Sequence, residues 1–449
     1  MMNSVIESSL NENIFLDNSK YFFTFLADRF EHLNDIWIKA LEKRFGGKFN
    51  PIYILSAKQN KLFPKENYLV INEKLVEIKK KLSKNNVIYL QDYEDLNKEF
   101  SESNEIKELI EKLVKKQGSV FILGFTSAFL NIKNPNIIVL GPNPELTTKL
   151  DDKIEHIKLF NALDVPRNKT RVYSSIKDIK INEKYPFYIS AAYTSGGHES
   201  GTIYTEEDLD AFHSKLRQIN KSKPFLVADL ITNIKLSPNV NAIVCEKNDT
   251  RVICITDQIL RGNHYLGNIY PSAADDNKKD EIINVTKKIG NYLSNLGFRG
   301  LFGLDFIIDS NEKLYTIDLN PRKQGGYLCN VLMSKKVNIP EMELKLALGE
   351  KVPNFDYSDF QVNYAWAHSK IKPYFQNTRI TNCFKEGECF TPFEKKAEYK
   401  AIFYPIKHLL IDGNAGYIII SGDYDEVKEK IIKEAEIIVS KNFELYEGL

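Results

Sequence analysis

Residues Gly300 to Arg322 read Gly-Leu-Phe-Gly-Leu-Asp-Phe-Ile-Ile-Asp-Ser-Asn-Glu-Lys-Leu-Tyr-Thr-Ile-Asp-Leu-Asn-Pro-Arg, two apolar, β-branched runs around a polar turn. The pattern predicts a strand over Phe302–Asp309 and a second over Leu314–Asn320. In the second, Tyr315, Ile317 and Leu319 fall on one face and Thr316, Asp318 and Asn320 on the other. Ser310-Asn311-Glu312-Lys313 makes a hairpin loop. With Asp309 facing Leu314, Asp305 lies opposite Asp318 on one face of the sheet. Directly opposed carboxylates repel and destabilise a ladder. A chain that places them together, with Asn320 two residues on, is predicted to present oxygen ligands to a hard cation. Mg2+ suits such a set, because it takes one or two carboxylates and completes its octahedron with water and phosphate oxygens; Mn2+ is the alternative. Pro321 ends the strand, and Arg322 brings a planar, permanently charged donor beside the cation. A solvated edge hairpin would account for the acidic face but not for the Asn-Pro-Arg run that follows it.

The rest of the chain bounds the answer. At 449 residues it exceeds one ordinary core, so two or three domains are expected. Lys plus Arg (61) balance Asp plus Glu (60), which leaves no bulk field or basic tail to attract nucleic acid. Five cysteines without a Cys-x-x-Cys pair exclude a small disulfide framework, and Cys245 and Cys254 are predicted as small buried hydrophobes. Met1–Asn13 lacks the basic and apolar parts of a signal peptide, and no run approaches the ~18 apolar residues of a membrane span. The expected compartment is the cytoplasm, with no membrane contact.

Residues 1–145 are predicted as an α/β domain. Apolar runs at Pro51–Leu55, Asn86–Leu90, Ser119–Leu123 and Asn136–Leu140 alternate with amphipathic stretches such as Asn104–Lys116, the pattern of a parallel sheet. No Gly-x-Gly-x-x-Gly occurs, so nothing supports a nicotinamide or flavin site. Asp151–Leu163 is predicted as a helix that buries Ile154, Ile157 and Phe160. Tyr185–Ala192 is a strand, followed by a loop from Tyr193 to Thr202 rich in Gly, Ser and Thr, whose backbone N–H groups can cradle an anion. Glu206–Ile219 is a helix; Pro224–Ile231, Asn241–Cys245 and Val252–Thr256 are strands of a second sheet. Thr256–Asn268 is predicted as a polar loop between strand and helix, with a substrate-facing role and an ordinary surface role both open. Asp280–Leu296 is an amphipathic helix closed by Gly297. Residues 336–449 form a small α+β C-terminal lobe, with strands at Tyr399–Tyr404 and Gly416–Ser421 and a helix at Asp423–Lys441.

From about Pro142 to Gly326 the chain resembles the ATP-grasp family, on Gly303-Leu304-Asp305 followed by Asp318-Leu319-Asn320-Pro321-Arg322. The resemblance implies an α/β pre-grasp domain (1–145), an ATP-grasp domain (146–335) of two clasping α+β subdomains with a lid at about 170–230, and the C-terminal lobe (336–449). It implies that Asp305, Asp318 and Asn320 hold Mg2+ against ATP phosphates, with Asp318 where Glu is usual, and that Arg322 is catalytic. It places Lys153, after Asp152, on a phosphate. Ser195, Gly196, Gly197 and Gly201 fall in the phosphate lid, and Asp229, Leu230 and Ile231 in the adenine strand and hinge. The second phosphate-binding Lys of the family falls at Ser190, with Lys153, Arg261 and His198 as candidates to compensate. That loss, and the run Thr256–Asn268, resemble a subgroup of peptide ligases from natural-product pathways, which puts Arg261, His264 and Asn268 toward substrate. The implied reaction joins a small carboxylate to an amine, amino acids or peptides, through an acyl phosphate. Transfer to a thiol or carrier protein, and a silent nucleotide sensor, stay open, as does assembly as a homodimer.

Overall fold

The computed structural model describes residues 5–9, 12–25, 31–56, 87–90, 96–192, 199–218, 224–261, 264–327, 330–331, 334, 337–359, 364–370, 389–390, 400–405 and 414–421. They divide into two compact units, residues 1–147 with 325–449, and residues 148–324. Among them no helix is long and apolar enough to cross a membrane.

The first unit holds a six-stranded sheet of β1 (Val5–Ser9), β2 (Lys20–Thr24), β3 (Phe49–Ser56), β4 (Val87–Leu90), β5 (Val120–Leu123) and β6 (Ile137–Val139), in the order β1-β4-β3-β2-β5-β6. All neighbours are parallel except β1 with β4. The predicted strands are β3 to β6. The central strand β2 went unpredicted because Lys-Tyr-Phe-Phe-Thr is buried on both faces and carries no alternation. The helix Asn104–Gln117 starts where Ser103 Oγ accepts from the Ile106 N–H, and buries Ile106, Leu109, Ile110 and Leu113. Near the C-terminus Tyr364–Lys370, Asn414–Ser421, Lys400–Pro405 and Cys389–Phe390 pair antiparallel in that order. The helix predicted at Asp423–Lys441 lies outside the described residues.

The second unit has two antiparallel sheets. The smaller contains β7 (Thr170–Tyr173), β8 (Phe187–Ala191), β9 (Ser200–Ile203) and β10 (Phe225–Asp229), ordered β7-β10-β8-β9. Ile179 and Leu209 of the helices Ile176–Asn182 and Glu206–Gln218 pack on its Phe187, Ile189 and Val227. The larger contains β11 (Ile234–Leu236), β12 (Pro238–Glu246), β13 (Asp249–Arg261), β14 (His264–Tyr270), β15 (Gly300–Asp309) and β16 (Leu314–Asn320). β16, β15, β12, β13 and β14 are successive neighbours, and β11 pairs with the far end of β15. The predicted polar loop Thr256–Asn268 is therefore corrected: its described residues belong to two paired strands, because Ile255, Ile259 and Ile269 are buried and tie them into the sheet.

The larger sheet is sided. Val240 pairs with Leu304 on one side and Ile255 on the other, and the three form an apolar row. That face meets the helix Asp276–Asn295, which buries Ile282, Val285, Ile289 and Leu293 and is capped by Asp275 accepting from the Lys278 N–H at 2.8 Å. Gly290 allows the close approach, since a Cβ there would lie 2.3 Å from Thr250 Cγ2. The adjacent row, Asp305, Asn239 and Thr256, is polar and faces the other way.

Candidate functional site

Asp305 and Asp318 are cross-strand partners, and Gly303 faces Asn320. The path to that pairing differs from the predicted one. Ile308, not Asp309, faces Leu314, and a β-bulge leaves Ile317 without a partner between Thr316 and Asp318. Asp309 instead folds back over the turn and accepts from the N–H groups of Asn311 and Lys313, each at 2.9 Å. The two departures cancel, so the carboxylates meet. The bulge also corrects the predicted faces: Tyr315 pairs with Ile307 on the Asp318 side, and Thr316 pairs with Phe306 on the other.

Four carboxamides converge on Asp305. Its Oδ1 accepts from Asn239 at 2.5 Å, Gln258 at 3.0 Å and Gln324 at 3.4 Å, and its Oδ2 from Asn320 at 3.2 Å. Behind them Asn241 donates to Asn239, and Asn268 donates to Thr256 Oγ1 at 2.9 Å. Asn239, Asn241, Thr256 and Asn268 are all buried. A buried wall of this kind is stable only when its members are paired. Burial and the neighbouring Asp318 carboxylate push the Asp305 carboxyl up to about 6, against the opposing pull of Asn239, Lys153 and Arg322.

Asp318 lies in the opposite field. Burial raises its carboxyl, but the Lys153 charge and the His156 hydrogen bond outweigh burial and hold it well below the usual carboxylate range. Lys153 Nζ is 3.3 Å from Oδ2, and His156 Nδ1 is 3.0 Å from Oδ1. Burial lowers the Lys153 ammonium, and Asp318 more than restores it. The helix carrying both residues runs Lys153–Ala162, with Asp152 as its N-cap accepting from the Ile154 N–H at 2.8 Å. It begins two residues later than the predicted Asp151–Leu163, and its buried face is His156, Leu159 and Phe160, while Ile154 and Ile157 are half-buried. The freed Asp151 faces Arg322, with Oδ1 3.7 Å from Nε.

Gln324 completes this end. Only 5 % exposed, it lies so close over Gly303 that a Cβ on Gly303 would sit 1.9 Å from the Gln324 amide carbon. Its Oε1 is buried and has no hydrogen-bond partner. Gly303 is thus required by the side chain above it. Sequence reasoning missed Gln324, His156, Asn239 and Gln258. For the first the signal was present as Gly303 on the strand and Gln324 two residues after Arg322; the other three become visible only once strand register is known.

In the same unit, Asp229 closes β10. Its carboxylate is 55 % exposed and receives Arg171 at 2.8 Å, while Arg171 also grips Glu183. Its backbone N–H donates to Lys169 at 2.9 Å, and its carbonyl accepts from Asn168 at 2.9 Å. Asp229, Leu230 and Ile231 line a cavity of about 360 Å3 together with Arg167, Lys169 and Tyr315. Of the remaining predicted residues, Gly201 lies in β9 and faces Ile189, and Ser190 is buried in β8 opposite Leu226 and Ser200. Arg261 and His264 are cross-strand partners at the β13–β14 end. Ser195, Gly196, Gly197 and His198 lie outside the described residues.

Known proteins resemble this chain in sequence and in fold. The family described as L-aspartate–L-methionine ligase, ATP grasp, matches residues 166–320. The C-terminal section of the carbamoyl phosphate synthase large chain of Methanocaldococcus jannaschii is 24% identical over 232 residues, covering 50% of this chain and 36% of that protein. The L-propargylglycine–L-glutamate ligase of Streptantibioticus cattleyicolor is 33% identical over 100 residues, 22% of this chain and 20% of that enzyme. The matches thus span between a fifth and about a third of these curated relatives. Among solved structures, the biotin carboxylase domain of Hydrogenobacter thermophilus 2-oxoglutarate carboxylase, in complex with MgADP, ADP and bicarbonate, superposes with a TM-score of 0.65 at 15% identity, over 96% of this chain and 91% of that one. The matched segment ends on the carboxylate hairpin, and the fold is shared over nearly the whole length, so the chain has an ATP-grasp fold.

Proposed function

We propose that the protein is an ATP-dependent carboxylate–amine ligase that joins a small carboxylic acid, an amino acid or peptide, to an amine. The observation that carries this reading is the pairing of Asp305 with Asp318 beside Lys153 and Arg322. Among the described residues no three or more His, Cys, Asp or Glu gather as a self-sufficient metal cluster. The donors here are two carboxylates, a carboxamide and the unpartnered Gln324 oxygen. Such a set fits a cation that takes the rest of its shell from phosphate and water, which is Mg2+, or Mn2+ in its place. Asp305, Asp318 and Asn320 would hold it, and when bound it supplies neutralising charge to the phosphate oxygens.

In this reading a substrate carboxylate oxygen attacks the γ-phosphorus, the bond to the β–γ bridging oxygen breaks, and ADP leaves. The amine then attacks the carbonyl carbon of the acyl phosphate, phosphate departs, and the nitrogen releases its proton. Positioning and charge neutralisation dominate such chemistry. Lys153 neutralises phosphate; Arg322 donates to the transferring phosphoryl group or to the tetrahedral oxyanion. The carboxamide wall fixes Asp305. The hinge at Asp229, Leu230 and Ile231 receives the adenine edge, and Ser195, Gly196, Gly197 and Gly201 belong to a lid, within residues 170–230 of a clasping domain at 146–335. Arg261 and His264 face substrate, and Asn268 supports the wall from behind. The enzyme works in the cytoplasm.

Release of ADP by the purified protein, measured across a matrix of small acids with amines and thiols, tests the assignment. Amine-stimulated release with a product of the condensed mass is the expected result. Stimulation by thiols alone would redirect the acyl group to a carrier. No ADP release with any pair would refute the enzymatic reading.

A further inference from the structure

Both oxygens of Asp318 are held by nitrogen-bearing side chains, and the two grips differ in kind. Lys153 reaches Oδ2 from a flexible stem, and its side chain keeps 23 % of its surface exposed. An ammonium of this type is a mobile point charge that can swing to another anion. His156 is 5 % exposed at its side chain, and its ring is pinned from behind, with Nε2 2.6 Å from the Leu150 carbonyl oxygen. Leu150 ends the helix Pro144–Leu150, and carbonyls in a last helical turn lack intrahelical partners. The ring therefore satisfies a helix end with one nitrogen and Asp318 Oδ1 with the other. The ring is thus fixed at both nitrogens. Rotating the ring to release Oδ1 would also orphan the Leu150 carbonyl.

We infer that His156 is a positioning residue that dedicates Asp318 Oδ1 to itself and leaves Oδ2 as the single oxygen a divalent cation takes, on departure of the Lys153 ammonium. The inference rests on the metal–nucleotide reading above and adds to it a division of labour between two oxygens. It also gives the short side chain at this position a rationale. A carboxylate that offers one oxygen needs less reach than one that bridges two ions.

The test separates metal affinity from nucleotide affinity. Mg2+ is titrated into the full-length protein at saturating ADP, and ADP is titrated separately in EDTA. His156→Gln carries an amide nitrogen at the Nε2 position, so it keeps the Leu150 bond and loses the one to Asp318. It is expected to weaken Mg2+ by roughly 10–100-fold, the usual cost of removing the partner that orients a metal ligand, with ADP affinity in EDTA and circular dichroism unchanged. His156→Asn places its donor at the Nδ1 position and is expected to recover most of the Mg2+ affinity. Lys153→Met should weaken ADP in EDTA while leaving Mg2+ affinity equal or higher, because nothing competes for Oδ2. A wild-type Mg2+ midpoint in His156→Gln overturns the inference, as does an equal loss in His156→Gln and Lys153→Met. Wild-type protein that binds ADP in neither condition would remove the nucleotide reading, and this inference with it.

Discussion

Two regions of the 148–324 unit hold their carboxylates in opposite ways. At the hairpin, Asp305 and Asp318 are partly buried, and every oxygen has a partner among Asn239, Gln258, Asn320, Lys153 and His156. At the hinge, the Asp229 carboxylate is 55 % exposed, and its partner Arg171 is shared with Glu183. An exposed pair like Arg171–Asp229 contributes roughly 0–1 kcal/mol. Removing one member of a buried polar group strands its partners at about 1–3 kcal/mol each. The contrast fits a division in which the hairpin places charge, where ångströms matter, and the hinge offers a surface and backbone edge, where one side chain matters little.

Asp318→Asn should break the hairpin end most severely. The carboxamide keeps the shape but removes the charge that Lys153 and His156 share, and one of its two positions becomes a donor facing a donor. Metal-dependent ADP release is expected to fall to background, with Mg-ADP affinity lost in calorimetry and the fold retained by circular dichroism. Unchanged affinity and turnover would contradict the metal site. Arg322→Ala comes next. Arg322 is mostly buried, its side chain 14 % exposed beside Asp151, so the loss is electrostatic at the site and modest for the fold. Turnover is expected to drop roughly a hundredfold, the scale of about 3 kcal/mol of transition-state stabilisation. Near-normal turnover would remove Arg322 from the chemistry.

Asp305 supplies a pH signature at the hairpin. A carboxyl raised to about 6 binds its proton more tightly in the folded protein than in the unfolded chain. Its contribution to metal-free stability is therefore fully present below about pH 4 and is lost as pH rises through about 6. Metal binding has the opposite sign, because the cation needs the carboxylate. Apparent Mg2+ affinity at fixed ADP should fall about tenfold per pH unit below 6 and level off above it. In Asp305→Asn both dependences should flatten, and a wild-type slope persisting in that variant would assign the titration to another group.

How much of this was legible in the residues follows from the same contrast. The Asp305–Asp318 pairing was reachable by counting, because two β-branched runs around a turn leave few registers. The bulge at Ile317 was not, since no local residue marks it, and it compensates the one-residue shift at the turn. The carboxamide wall was invisible for a related reason. Asn239, Gln258 and Asn268 look like polar interruptions in separate segments until β12, β13 and β14 are laid side by side, and the same polarity made Thr256–Asn268 resemble a loop. His156 sits one turn after Asp152 on a helix whose apolar residues suggested a different buried face. The ATP-grasp resemblance rested on short motifs at strand ends, where spacing survives without register.

The smallest effect belongs to Asp229→Ala, and it tests the comparison from the other side. The substitution frees Arg171, which stays bonded to Glu183 through both carboxylate oxygens. The strand end keeps its backbone anchors, with the Asp229 N–H on Lys169 and its carbonyl on Asn168. What is lost is one exposed ion pair, so ADP affinity is expected to change by less than about threefold, near 0.6 kcal/mol. A loss above tenfold in calorimetry would mean that the carboxylate itself reads the base on binding and leaves Arg171 to do so. In that case the hinge would place charge as the hairpin does, and the 360 Å3 cavity lined by Asp229, Leu230 and Ile231 would owe its selectivity to a side chain and not to the backbone edge.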